Sequence, residues 1–300
     1  MSIIKILLAT YNGEKYITSQ INSILNQNGV EVDIVISDDS SKDKTIEIIS
    51  QNYPQIRINQ NIPGTGSAAN NFLKMVDNLN FNENFDYVAF CDQDDIWLPE
   101  KMESAVNFLK KENAQLYCSN LTKWEESDNS LSVLKKDFPQ KKYDYLFEGG
   151  SAGCTYVFTK DFALNLQKFL KKADNINWKA FSHDWLVYFF ARTHKYNVVI
   201  DSNSYIHYRI HASNVHGHLN KMSFNTIKEK SSEVLNGYYQ KHIQNYIQYI
   251  DKDTEEYKIY EQFLGSYFQR NFTILKYNTQ LMRDNKKLMI FVVLNLLKFR

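Results

Sequence analysis

Apolar and polar positions fall into alternating blocks along the first part of the chain. Ile3 to Ala9 is an unbroken apolar run apart from Lys5, as expected of a strand buried on both faces. Thr10-Tyr11-Asn12-Gly13 stops it, and Ile17, Ile21, Ile24 and Leu25 then recur at helical spacing. Val32 to Ser37 predicts a second strand ending in Asp38-Asp39-Ser40-Ser41, followed by a helix through Ile46, Ile48 and Ile49 and a short strand around Arg57-Ile58-Asn59. Gly64-Thr65-Gly66-Ser67 opens a helix that turns Ala69, Phe72, Leu73, Val76 and Leu79 inward. Tyr87 to Cys91 predicts the next strand. Pro99 then begins a helix with Met102, Ala105, Val106 and Leu109 on one face. Strands alternating with single helices predict an α/β fold, a doubly wound and mainly parallel sheet. In such sheets ligands bind beyond the carboxyl ends of the strands.

The pattern changes further on. Gln115 to Ser119 and Thr155 to Phe158 read as strands, and the polar stretch Glu125 to Lys142 between them reads as a loop. Leu186 to Ala191 is an apolar helix. From about Lys221 the chain is helical in pattern, rich in Lys, Asn, Gln and Tyr, and without internal repeat. Residues 1–220 are expected to form the α/β domain and 221–300 a helical appendage.

Composition narrows the class. A hydrophobic content of 43% is ample for a core, and a net charge of +1 gives no reason to expect nucleic-acid binding. Cys91, Cys118 and Cys154 are odd in number and widely spaced, which implies neither a disulfide framework nor a zinc site; each suits a small buried hydrophobe. The N-terminus starts a strand pattern without a signal-peptide layout, so a cytosolic setting is expected, with the Asn-x-Thr sequons at Asn120 and Asn271 as chance matches. No apolar run is long enough to span a bilayer. Leu288 to Leu297, flanked by Lys286, Lys287, Lys298 and Arg300, suits an interfacial helix on an anionic membrane, a helix docked on the body, or an oligomer contact.

Several strand ends carry candidate chemistry. Asp92, Asp94 and Asp95 crowd directly after Phe90-Cys91, and such carboxylates repel unless a cation sits among them. A hard divalent ion shared with a diphosphate answers this; a solvated acidic turn capping a helix is the alternative. Asp38 or Asp39 could accept a bond from a pyrimidine N3–H, or cap the next helix along with Ser40, Ser41 and Asp43. Gly149-Gly150-Ser151-Ala152-Gly153 allows close backbone approach to a ligand or makes an ordinary turn. Asp184 opens a helix, either as a dipole partner or as a general base aimed into the cleft. In an extended Tyr205–His211, His207, Arg209 and His211 share a face that suits a diphosphate. Asn214 and His216-Gly217-His218 follow as a loop, and the histidine density also raises a zinc reading that no nearby cysteine completes.

Taken together, Leu8 to Glu14, Ile36 to Ser41, Phe90 to Pro99, Gly150 to Phe158, His183-Asp184-Trp185 and Tyr208 to His211 with Asn214 resemble a family 2 glycosyltransferase of the GT-A fold. The chain is most similar to the bacterial branch of rhamnosyltransferases and other surface-polysaccharide transferases, over residues 3–217. The resemblance implies that Ala9, Tyr11 and Asp38 or Asp39 frame the nucleotide. Asp92-Gln93-Asp94 would be the DXD motif, binding Mg²⁺ or Mn²⁺ against the diphosphate, with Asp94 the direct ligand, Asp92 nearest the donor and Asp95 supporting. Asp184 matches the catalytic base, although the family's Glu-Asp pair stands here as His183-Asp184. Arg209 and His211 would hold the leaving diphosphate of a UDP- or dTDP-sugar. The Gln-x-x-Arg-Trp motif and the multiple membrane helices of processive family members are absent, which implies one sugar added per encounter. The acceptor expected is a glycan or lipid-linked oligosaccharide at the inner membrane face. A sugar nucleotidyltransferase and a catalytically silent nucleotide-sugar or glycan binder are the competing functions.

Overall fold

The computed structural model of the chain describes residues 1–172, 182–211, 231–232 and 234–298; Asn214, His216 and His218, and the helical onset expected at Lys221, lie outside them. The chain forms two compact units. The first comprises Met1–Asp137 and Gly150–His211, and contains a nine-stranded sheet. Its strands are β1 (Ser2–Thr10), β2 (Val30–Asp38), β3 (Arg57–Gln60), β4 (Tyr87–Cys91), β5 (Ile96–Trp97), β6 (Leu116–Glu125), β7 (Ser130–Leu134), β8 (Val157–Thr159) and β9 (Val198–Ile210). They run in the order β3-β2-β1-β4-β8-β6-β9-β5, with β7 paired to β6. The helices of this unit are α1 (Ile17–Leu25), α2 (Thr45–Asn52), α3 (Ala68–Asp77), α4 (Lys101–Lys111), α5 (Lys160–Lys172) and α6 (His183–Thr193).

Parallel pairing of β3, β2, β1 and β4 requires crossovers, which α1, α2 and α3 supply. Ile4, Ile6 and Leu8 of β1 pack with Ile17, Ile21 and Ile24 of α1 in one core that extends to Met102, Ala105 and Val106 of α4. Lys5 is the exception inside β1. It is buried, faces Asp33 across the strand pair, and makes ion pairs with Asp33 and with Glu83 at 2.6 Å. Arg57 also binds Glu83, at 2.8 Å, and the two cations hold the Glu83 carboxyl down at about 2.

Topology fixes where the site falls. The carboxyl ends of β2, β1 and β4 lie along one edge. β8 runs antiparallel to β4, so the Gly150–Thr155 segment before it arrives at that same edge. β6 is antiparallel to β8 and β9 is parallel to β6, so Arg209 and His211 end there too.

Three expectations need correction. The stretch 125–142 is not all loop: β6 runs to Glu125 and turns through Asn129 (φ 54°) into β7. Leu131 and Val133 of β7 point outward, 54% and 68% exposed, so this hairpin has no apolar face against the core to announce it. The acidic cluster does not lead straight into a helix, because Ile96–Trp97 first pairs antiparallel with Ile206–His207. The last strand begins at Val198 rather than near Tyr205, and its register on β6 shifts around Asn120. All three cysteines are buried, and both sequon asparagines, Asn120 and Asn271, are buried as well.

The second unit takes in Phe138–Gly149 with the described residues after His211. Its helices are α7 (Tyr238–Tyr246), α8 (Glu255–Leu264), α9 (Tyr267–Leu281) and α10 (Asn285–Leu297). Phe147 packs against Tyr260, Phe263 and Phe291 with ring centroids 5.2–6.0 Å away, and Tyr260 donates a 2.7 Å bond to the Leu146 carbonyl. Among the described residues no helix is long and apolar enough to cross a membrane.

Candidate active site

The loops after β1 and β2 are zipped together. Asn12 N–H donates to the Ser41 hydroxyl (2.8 Å), Lys42 N–H to the Asn12 side chain (2.8 Å), and Gly13 N–H to the Thr45 hydroxyl (2.7 Å). Asp38 is buried and accepts from the Thr10 hydroxyl and from the backbone and side chain of Ser41. Asp39 accepts the Thr65 and Gly66 N–H groups and sits nearer the surface, 9% exposed against 1% for Asp38. Of the two, Asp39 is the less enclosed. Ala9 closes the floor of this edge, while Tyr11 presents its ring, 57% exposed.

Gln93 joins this floor to the acidic loop. Its amide donates to the Tyr11 carbonyl and accepts from the Tyr11 N–H, both at 2.9 Å. A Cβ on Gly13 would run into the Gln93 amide, so the glycine is needed for this clasp. Gln93 therefore positions the loop through its whole amide.

The carboxylates divide by depth. Asp94 reaches the imidazole of His211, Oδ2 to Nε2 at 2.7 Å, and its carbonyl accepts from Arg209 Nε at 2.8 Å. Asp95 is fully buried; one oxygen accepts the Arg209 N–H at 3.2 Å and the other has no hydrogen-bond partner. Asp92 is partly buried. Burial, then the charges of Asp94 and Asp184, push its carboxyl up to about 7. Burial, then the charges of Asp94 and Asp92, also push the Asp95 carboxyl well above the ordinary carboxylate range.

Two donor sets could hold a cation. Ligand atoms of Asp92, Asp95 and Cys154 lie within 4.8 Å of one another, but Asp95 and Cys154 are fully enclosed and burial keeps the thiol protonated. A diphosphate cannot enter there, and hard ions avoid thiols. Asp94 and His211, 16% and 12% exposed, form an oxygen-and-imidazole set that remains partly open. That set fits Mg²⁺ or Mn²⁺ shared with a ligand phosphate.

Arg209 is not on an open basic face. It is 5% exposed, its guanidinium lying 4.7 Å from the Tyr16 ring and 4.2 Å from the Trp124 ring, and Nη1 bonds Glu126 at 2.7 Å. The period-2 pattern gave Arg209 a face shared with His207 and His211; Tyr16 and Trp124, from two distant segments, pack over its guanidinium. Glu126 also pairs with Lys15 at 3.1 Å.

Asp184 stands in the first turn of α6, half-buried, accepting from the Ser182 hydroxyl and from the Trp185 N–H at 2.7 Å. Its charge is felt at Asp92, which brings it to the same edge. Among the described residues, the ends of β1, β2, β4 and β9 thus lie along one edge of the first unit.

The profile of the family described as "Glycosyl transferase family 2" matches residues 5–174. The chain belongs to glycosyltransferase family 2. The dTDP-rhamnosyl transferase RfbG of Shigella flexneri is 36% identical over 240 residues, 79% of this chain and 82% of the relative. The UDP-Glc:alpha-D-GlcNAc-diphosphoundecaprenol beta-1,3-glucosyltransferase WfgD of Escherichia coli is 28% identical over 188 residues, 61% of this chain and 70% of that one. In fold, the S. aureus TarS 1-349 structure in complex with UDP-GlcNAc superposes with a TM-score of 0.56 at 16% identity, over 98% of this chain and 90% of TarS. The GT-A architecture is therefore the one this chain adopts.

His183, next to Asp184, is packed among aromatic side chains. Its ring stacks on Phe72 (4.4 Å) and meets the Phe90 edge (5.3 Å), and a Cβ on Gly153 would collide with it. Tyr16, Trp124 and Glu126 were not legible as site residues. An isolated Trp in a polar stretch was the only signal, and nothing local ties it to Arg209.

Proposed function

We propose that this family 2 glycosyltransferase moves one sugar from a UDP- or dTDP-sugar to a glycan or lipid-linked saccharide acceptor, with inversion at the anomeric carbon. The observation that carries the reading is Asp184 beside Asp92, at the edge where Asp94 and His211 meet. One carboxylate faces the cleft as a base while the others are arranged for a cation and a diphosphate.

Asp39, Ala9 and Tyr11 frame the base and ribose. Asp184 takes the proton of the acceptor hydroxyl as its oxygen attacks the anomeric carbon from behind. Arg209, beside Asp94, lends positive charge to the departing diphosphate. Asp94 and His211 would hold a divalent cation such as Mg²⁺ or Mn²⁺, which would supply further charge neutralisation for the leaving group. The dTDP-rhamnose donor implied by the RfbG name and the diphosphoundecaprenol acceptor in the WfgD name support a role in bacterial surface-polysaccharide synthesis at the cytoplasmic face of the membrane.

The test is incubation with a panel of UDP-, dTDP- and GDP-sugars, Mn²⁺ and a lipid-diphosphate saccharide. Nucleoside-diphosphate release that depends on acceptor supports the reading. Pyrophosphate release in a parallel incubation with a nucleoside triphosphate and a sugar 1-phosphate would mark a nucleotidyltransferase, and binding of the nucleotide sugars without turnover a silent binder; either overturns it.

A further inference from the structure

Helices α9 and α10 of the second unit lie antiparallel. The Tyr267 hydroxyl donates to the Leu296 carbonyl at 3.0 Å, and Arg270 binds the Lys298 carbonyl, so the start of one helix meets the end of the other. Each buries one side: Ile274, Tyr277 and Leu281 on α9, and Phe291, Leu294 and Asn295 on α10. A helix apolar all round is ordinarily enclosed all round. Here the opposite sides stay open. On α9, Phe268, Phe272 and Leu275, spaced four and three apart, are 81%, 66% and 54% exposed. On α10, Met289, Val293 and Leu297, each four apart, are 64%, 48% and 60% exposed. Two outward apolar stripes on adjoining helices exceed the scattered exposed hydrophobics of an ordinary surface.

Charge identifies what covers them. From Tyr267 through Lys298 the sequence has six basic residues, of which Arg270 and Arg283 are buried, and a single acid, Asp284. Lys276, Lys286 and Lys287 are exposed; Lys276 and Lys287 approach Glu255 and Glu148 only to 3.7 Å and remain 51% and 56% exposed. A second copy in a two-fold contact would bring like charge against like. An anionic lipid surface accepts both features, taking the aromatic and aliphatic side chains into its acyl boundary and the lysines among its headgroups.

We propose that the outer face of α9 and α10 is a docking surface for an anionic lipid bilayer. It rests on the second unit alone and is independent of the chemistry proposed for the sheet edge. The full chain is tested by co-sedimentation with vesicles of phosphatidylcholine containing about a third phosphatidylglycerol, and with pure phosphatidylcholine. Binding is expected to the anionic vesicles and to weaken in high salt. Phe268→Ser/Phe272→Ser and Lys286→Glu/Lys287→Glu should each lower affinity at least tenfold, since each lysine near such a surface contributes roughly fivefold. Circular dichroism and thermal midpoint verify that these surface variants fold. No binding by the wild type, or equal binding by folded variants, overturns the proposal. So does a light-scattering dimer that the phenylalanine variant dissociates.

Discussion

The Oδ2 atom of Asp94 and the Nε2 atom of His211 stand 2.7 Å apart, although 117 positions separate them in the chain. The contact exists because β9 ends at the same sheet edge as β4, three strands away across β8 and β6. Tyr16 supports the imidazole from its other side, ring centroids 4.8 Å apart. Under the proposed function this carboxylate and imidazole would hold the cation, and that assignment can be tested. Asp94→Ala is expected to abolish transfer, and His211→Ala to weaken Mn²⁺ affinity by about ten- to a hundredfold, the range typical of groups that hold or orient a metal. Isothermal titration with Mn²⁺ reads both, and unchanged affinity in the two variants would remove this pair as the metal site.

The Asp92 carboxyl, raised to about 7 by burial and by Asp94 and Asp184, predicts how metal binding follows pH. Below 7 a proton occupies the group and must leave before a cation arrives. Affinity for Mn²⁺ should therefore climb up to about tenfold per pH unit from 5 towards 7 and level off above it. In Asp92→Asn the slope should flatten. A wild-type affinity that is level between pH 5.5 and 8 contradicts the assignment.

Asp184→Asn separates chemistry from binding. The amide keeps the side chain's shape and its hydrogen bond from the Trp185 N–H, yet cannot take a proton. Turnover should fall by about a hundred- to ten-thousandfold, the usual contribution of a general base, with donor affinity nearly unchanged. Full activity in this variant would mean another group accepts the proton.

Arg209 and Glu126 make the site's leaving-group region competitive before any donor enters. The Nη1–Oε1 contact of 2.7 Å occupies part of the guanidinium that a diphosphate would bind. Glu126→Gln keeps the hydrogen-bonding shape but removes the competing charge. Nucleoside-diphosphate affinity should rise by about three- to tenfold, measured by calorimetry in the presence of Mn²⁺. Weaker affinity would show instead that Glu126 orients Arg209 for its ligand.

Strands β1, β2 and β4 were legible because each is an apolar run ended by polar residues, and a sheet covered on both faces demands that pattern. The acidic cluster was legible because three carboxylates in four positions are costly without a purpose. The hairpin of β6 and β7 was not, since Leu131 and Val133 face outward and imitate nothing that a core would select. Nor could the sequence tell Asp38 from Asp39. Their difference lies in Thr10, Ser41, Thr65 and Gly66, donors that reach them from three segments of chain. The burial of Arg209 escaped for the same reason, because Tyr16 and Trp124 close over it from far away.

Lys101, in the first turn of α4, is 1% exposed, its ammonium 3.7 Å from the Trp97 ring centroid and without a hydrogen-bond partner. Burial pushes its pKa down from 10.5 to about 7, against the opposing pull of Cys91, Cys154 and Asp95. The unfolded chain therefore holds this proton up to 10.5 while the folded chain releases it near 7. Between those values the unfolded state binds more protons, so stability rises with pH across the window and is flat below it. The full effect of that difference is about 5 kcal/mol. Lys101→Met fills the same space without charge, and such replacements of buried ions are commonly neutral or stabilising. The variant should unfold at a higher temperature than the wild type at pH 6, and the gap should close as pH approaches 10. If Lys101→Met lowers the midpoint equally at both pH values, the ammonium contributes to the fold through contacts rather than opposing it through its charge.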